Sequence, residues 1–168
     1  VSETVLIWLI PIAIALHNLE EALWLPAWSH SRAGRWHRPV GEFPFRFAVI
    51  ILTAVAIIIA IWAQLGGQNG LGFYLLGACA LGQGLNVFFP HAIATIVTRS
   101  YAPGLVTGLF LVLPAAIAFL TSAFSSPGFD LPRFIIVSAV FIPLILISIP
   151  VLFRAGRLIE RMVESGSV

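Results

Sequence analysis

The sequence predicts an all-α integral membrane protein, a bundle of five transmembrane helices with its N-terminus outside and its C-terminus cytoplasmic. Three observations carry that reading: composition, five long apolar runs, and the placement of arginine. Of 168 residues, 60% are hydrophobic and 10% are charged, against about 45–50% and about 25% in ordinary globular chains. Mean hydropathy is +1.03. A chain this short has too much surface to hide so much apolar side chain from water. The composition excludes a soluble enzyme, a disordered chain and a nucleic-acid module. A pI near 9.3 and a net charge of +2 come from nine arginines against seven acids, with no lysine. Those arginines form no stripe of the kind that grips phosphates. The single cysteine, Cys79, has no partner within the chain and says nothing of redox compartment.

A helix that crosses the hydrocarbon core needs about 20 mostly apolar residues. Five runs meet that length within a single transmembrane domain: Val5 to Ala27, Pro44 to Leu65, Leu71 to Val97, Pro103 to Phe124, and Arg133 to Phe153. The first is too long, and too polar at its end, for a cleaved signal peptide. Gly66 to Gly70, Ser100 to Pro103 and Ser125 to Gly128 separate later runs with turn chemistry. No internal repeat is visible. With five spans, the first loop, the third loop and the C-terminus share one side. That side holds Arg32, Arg35, Arg38, Arg46, Arg99, Arg154, Arg157 and Arg161, and only Arg133 falls on the other. Arginine-rich loops stay cytoplasmic, which sets the orientation; the expected location is the plasma membrane of a prokaryote. Pro11, Pro90, Pro114, Pro143 and Pro150 lie inside spans. Each removes a backbone hydrogen bond, and membrane helices tolerate such prolines. Gly104 with Gly108 and Ala80 with Gly84 allow close helix contact.

The first span reads His17-Asn18-Leu19-Glu20-Glu21-Ala22-Leu23-Trp24. Ionisable residues at such depth cost a few kcal/mol each and are functional by default. Glu20 and Glu21 follow His17 by three and four residues, so either can share its face. They point about 100° apart. The third span carries Gln83, Asn86, Phe88, Phe89, Pro90 and His91. Both groups sit toward the cytoplasmic end of their helices, and lipid-facing charge is disfavoured. They are therefore expected to converge inside the bundle. A straight helix would set Asn86 and His91 about 140° apart, with Pro90 between them to change that angle.

With these residues in view, the chain resembles the HXXEE family of small integral membrane proteins. His17-Asn18-Leu19-Glu20-Glu21 looks like its signature, and the asparagine and histidine of the third span also fit. The resemblance marks His17, Glu20, Glu21, Asn86 and His91. It supplies no reaction, since the family has no settled activity and is presumed enzymatic from these polar residues.

The residues themselves support several chemistries. Two histidines and a carboxylate suit zinc, or iron in a facial triad with open positions, so His17, Glu21 and His91 are the expected ligands of a divalent metal. His-x-x-Glu-Glu is not the spacing of zinc proteases, and it is half of what a di-iron bundle needs. A metal-free alternative is acid–base isomerisation or cyclisation by His17 and Glu21, with Glu20 as a second acid. The aromatic faces of Trp24, Trp28, Phe88 and Phe89 would then stabilise a cation. Either chemistry describes an intramembrane enzyme for a hydrophobic lipid or isoprenoid-like substrate. Asn86 would orient the substrate or a water, and Trp24, Gln83 and Phe88 would line the pocket. A third reading is a proton- or ion-coupled transporter or channel subunit, for which a homo-oligomer could surround the path. It ranks lower because no repeat halves are present. A purely structural reading has His17 bonding Glu20 or Glu21 to lock the first span against the third. The loop Ser29 to Arg38 reads as positive-inside sequence with an interfacial tryptophan. Arg154, Arg157 and Arg161 read as an interfacial amphipathic turn. Met162 and Cys79 receive no role.

Overall fold

A computed structural model describes residues 1–31 and 39–166. Arg32, Arg35 and Arg38, together with Trp36 and His37, lie outside the described residues. The described residues form helices and no strands. Five of these helical stretches are long and apolar enough to cross a membrane: α1 (Glu3–Ser31), α2 (Glu42–Gly66), α3 (Leu71–Thr98), α4 (Leu105–Phe124) and α5 (Leu131–Gly166). The helices outrun the apolar runs at several ends, most of all in α5, which continues unbroken through Arg154, Arg157 and Arg161. Hydropathy marks only where a helix is apolar, whereas helix propensity carries the backbone on until a breaker stops it. The interfacial turn expected there is the last part of one long helix.

Local chemistry ends the helices where the sequence changes character. Gly67 takes φ 63° after α2, and its N–H bonds the Ala63 carbonyl at 3.0 Å, a glycine C-terminal stop. Asp130 Oδ1 accepts the Arg133 N–H at 2.9 Å at the start of α5, with Pro132 in the first turn. α3 is interrupted. It is α-helical over Leu71–Asn86, passes through a wider turn over Val87–Ala92, and resumes over Ile93–Thr98. Within that turn Phe89 is extended, at φ −128° and ψ 116°. Proline disfavours the helical region for the residue before it, and Pro90 follows Phe89. The other interior prolines do not break their helices. α4 has its own widened turn at Gly108–Val112, with Pro114 just beyond it.

α2 packs against α1, α3 and α5, while α4 closes against α3 and α1. Leu6, Ile7, Ile10 and Ile14 of α1 meet Ala56, Ala60 and Ala63 of α2, Leu76 and Ala80 of α3, and Ala116 and Phe119 of α4 in one core. α5 lies outside this core and buries only Phe134, Ser138 and Gly156. Its anchors are at its ends. Phe134 joins Phe124 and Phe129 in an aromatic cluster with centroids 5.3–5.7 Å apart. At the far end Gly156 lies against Pro44 so closely that a Cβ would come within 2.7 Å of the Pro44 backbone. That contact puts the arginine-bearing end of α5 beside the start of α2.

Gly72 at the head of α3 is equally constrained. A Cβ there would lie 2.6 Å from the Trp62 and Ala63 backbone. Gly72→Ala should therefore destabilise the protein by about 1–3 kcal/mol, the usual cost of overpacking. Gly82→Ala, whose Cβ would find Ile142 at an ordinary 3.5 Å, should leave the thermal midpoint in detergent nearly unchanged. Equal midpoints for the two variants would refute this account of α2–α3 packing.

Candidate functional site

The two adjacent glutamates of α1 have separate surroundings. Their helical offset of about 100° per residue sends them to different neighbours. Glu20 reaches the loop before α4 and that helix's first turn. Its Oε1 accepts the Gly104 N–H at 2.8 Å and the Tyr101 hydroxyl. Its Oε2 accepts the Thr107 N–H at 3.0 Å and the Thr107 hydroxyl. A carboxylate at a helix N-terminus satisfies orphan N–H groups and complements the helix dipole. With four donors on its two oxygens, Glu20 has little left to offer a substrate or a metal. The second acid or ligand expected from the sequence is, in this geometry, a clamp between α1 and α4. Tyr101 lies in the loop outside the helices. Burial and then the hydrogen bond to Glu20 push its phenol up to about 12.

Glu21 turns instead toward α3. Its Oε1 lies 3.2 Å from His91 Nε2 and its Oε2 lies 4.0 Å from His17 Nε2. The two imidazoles meet edge to face with centroids 5.0 Å apart. Asn86 Nδ2 stands between them, 3.3 Å from His17 Nε2 and 3.1 Å from His91 Nε2. His17 and His91 are nearly inaccessible, at 1% and 3% exposure. The break at Phe89 explains how Asn86 and His91 meet: a straight helix would have turned them apart. His17, Glu21 and His91 each offer a ligand atom, and these atoms lie within 4.8 Å of one another.

Three residues of the site carried little signal in the sequence. Thr107 Oγ1 contacts His17 Nδ1 at 3.1 Å while also donating to Glu20. Gly104, noted only as a packing residue, has φ +93°, and a Cβ there would fall 2.6 Å from His91 Cε1 and 2.9 Å from His17 Cε1. Its place after Pro103 was the available clue. Tyr101 had none. Asn18, inside the motif, bonds Thr53 Oγ1 at 2.7 Å and holds α1 to α2.

A cavity of about 260 Å³ opens beside the cluster. Glu21, Gln83 and Asn86 contribute polar groups to its lining, and aliphatic residues of α2 and α5 such as Val49, Leu52, Ile142 and Ile145 supply most of the rest. Gln83 Oε1 is buried without a hydrogen-bond partner. The other two residues expected in the pocket lie elsewhere. Trp24 is 55% exposed and lines a separate apolar groove with Glu20, Tyr101 and Thr107. Phe88 is 52% exposed and lines neither cavity. The kink that turns His91 inward leaves Phe88 and Phe89 facing out.

Residues 8–119 match a family model described as "Protein of unknown function with HXXEE motif". The chain belongs to this HXXEE family. The match spans every side chain of the cluster and ends within α4. A relative from Bacillus subtilis (strain 168), named "Uncharacterized protein YrkK", is 35% identical over 144 residues, covering 86% of this chain and 90% of that protein. No solved structure matches the chain.

The clamp can be tested apart from any reaction. Glu20→Gln should lower the Tyr101 phenol from about 12 toward its ordinary value, read by ultraviolet titration. With Glu20 intact, the folded protein keeps the phenol proton where an unfolded chain has begun to lose it. Stability should therefore fall as pH rises from about 10, the ordinary tyrosine value, through 12. An unshifted titration in Glu20→Gln would disprove the contact.

Proposed function

We propose that this protein is an intramembrane enzyme acting on a lipid- or isoprenoid-like substrate. Its centre is His17, Glu21, His91 and Asn86, and the adjoining cavity holds the substrate. The observation that carries the reading is the meeting of two imidazoles and a carboxylate at the wall of an apolar cavity. Buried polar atoms need partners and intramembrane ionisable groups are costly. A cluster built only to join helices gains nothing from lying beside an open apolar space. Ligand sites, in contrast, are mostly apolar clefts with a few convergent polar groups.

The lining also describes the substrate. Aliphatic walls fit a hydrocarbon chain. The unpartnered Gln83 Oε1 accepts a hydrogen bond, so a substrate with a hydroxyl or amine near one end would satisfy it. That polar end would lie against Glu21 and Asn86, which share the wall. Glu21 faces both the cavity and His91, as proton transfer between substrate and imidazole requires. The helix lengths support insertion in a bilayer. Arg46, Arg99, Arg154, Arg157 and Arg161 support a cytoplasmic C-terminus. The Bacillus relative supports a bacterial plasma membrane.

The reading is tested by incubating purified protein with a bacterial lipid extract and following all species by mass spectrometry. A lipid should be converted by the native protein and at least about 100-fold more slowly by Glu21→Gln, the scale of a lost acid–base group. Leu52→Trp, which fills the cavity without touching the cluster, should also slow it. Conversion that is equal in all three proteins, or absent from all, would overturn the proposal.

A further inference from the structure

The hydrogen-bond pattern around the two imidazoles favours one placement of their protons, the one that keeps both rings neutral. The Glu20 carboxylate accepts at both oxygens, so the single Thr107 hydroxyl hydrogen goes to Glu20. Thr107 Oγ1 must then accept at its contact with His17, which makes His17 an Nδ1–H donor. The other side of the ring agrees. Asn86 Nδ2 donates toward His17 Nε2, which requires a lone pair there, and it donates toward His91 Nε2 as well. With its amide turned the other way, Asn86 would demand Nε2–H on His17, and that ring would be an imidazolium. Two imidazole lone pairs and the Glu21 carboxylate therefore face one another. Glu21 Oε1 and His91 Nε2 approach to 3.2 Å. Two lone pairs hold that separation only when a proton or a metal ion lies between them, and an ion there would take over from Asn86 the two Nε2 lone pairs.

We propose that the cation is a divalent first-row transition-metal ion, zinc or iron(II), held by His17 Nε2, His91 Nε2 and the Glu21 carboxylate. Glu20 and Thr107 act as positioning residues behind His17. Ligands about 2.0–2.1 Å from a tetrahedral ion stand about 3.3 Å apart. The 3.2 Å between Glu21 Oε1 and His91 Nε2 matches that spacing; the 4.0 Å between Glu21 Oε2 and His17 Nε2 is longer, so His17 would draw in by a few tenths of an ångström around an ion. Metal-binding histidines commonly donate their second ring nitrogen to an oriented oxygen, which fixes the tautomer. The chain from Glu20 through Thr107 to His17 Nδ1 does this. Charge balances too: a divalent ion, Glu20 and Glu21 as carboxylates and two neutral imidazoles sum to zero, as a low-dielectric interior requires. Two histidines and one carboxylate leave coordination positions free. Glu21 and Asn86 both line the cavity, so a substrate there would meet the ion. This inference deepens the enzymatic reading by naming its cofactor.

The test is metal content and metal uptake, with no turnover involved. Protein purified in detergent without a histidine tag should carry about one zinc or iron per chain by elemental analysis, which also distinguishes the two. After chelation it should take up Co²⁺ with visible absorption bands. Glu21→Gln, nearly isosteric, and His91→Gln should abolish both signals while circular dichroism and the thermal midpoint report an intact helical fold. Thr107→Val should weaken Co²⁺ affinity about 10–100-fold, the usual effect of losing a ligand's orienting partner, and Thr107→Ser should restore it. Native protein that takes up neither Zn²⁺ nor Co²⁺ at about 1 mM, a level that would saturate even weak sites, would overturn the proposal. So would uptake unchanged in Glu21→Gln and His91→Gln. The two readings fail separately. Metal-free protein that still converts lipid in a Glu21-dependent way removes the metal alone. Metal-loaded protein that converts no lipid removes the enzyme alone.

Discussion

The Glu20 carboxylate organises the site, although it holds no position in the cluster itself. From α1 it gathers the Gly104 N–H, the Tyr101 hydroxyl and both donors of Thr107. Those bonds fix the loop before α4 against the histidines, with Gly104 passing so close to both rings that no side chain fits. They also align the Thr107 hydroxyl beside His17. Without Glu20 these four donors would lose their acceptor, at roughly 1–3 kcal/mol for a group that water cannot reach, as at the buried Gly104 N–H. One carboxylate therefore closes α4 onto α1 and orients an imidazole.

The second constraint is the break in α3. Pro90 pushes Phe89 out of the helical region, and the chain resumes its helix with His91 turned back toward Asn86. A continuous helix would carry His91 to another face, and α1 would bring its histidine and glutamate to a site with half its members. The kink has a cost in exposure: Phe88 and Phe89 stand out from the bundle. In water such a pair would be a liability, whereas against lipid tails it is ordinary.

The sequence made the helices legible because their signal is long-range and additive. About 20 apolar residues in a row cannot be mistaken for much else, and the five helices fall where the apolar runs do. The adjacency of His17, Glu21 and His91 was legible for a related reason: polar groups at matching depth have nowhere else to go. The separate fates of Glu20 and Glu21 were not. Both satisfy the same spacing from His17, and only the position of α4 decides which one meets the loop. Thr107 and Tyr101 were invisible because a threonine or tyrosine near a helix end is commonplace. Their role exists only through a contact more than 80 residues away in the chain. Trp24 and Phe88 do not line the cavity beside Glu21, and Trp24 lines a separate apolar groove with Glu20.

The adjacent carboxylates also show how one sequence motif divides two tasks. A carboxylate buried against hydrogen-bond donors is held by fixed dipoles and needs no counter-ion, whereas one buried against lone pairs needs a cation. Glu20 meets N–H and O–H groups, and Glu21 meets imidazole nitrogens. The first arrangement is complete within the protein. The second is complete only when a proton or a metal ion joins it. On the proposed function, this is what would make Glu21 the reactive one of the pair. The cavity wall includes Glu21 and Asn86, while His17 and His91 are almost wholly covered. On the proposed function, a substrate in the cavity would meet Glu21 and Asn86 first, and the histidines would act through them or through an ion they jointly hold.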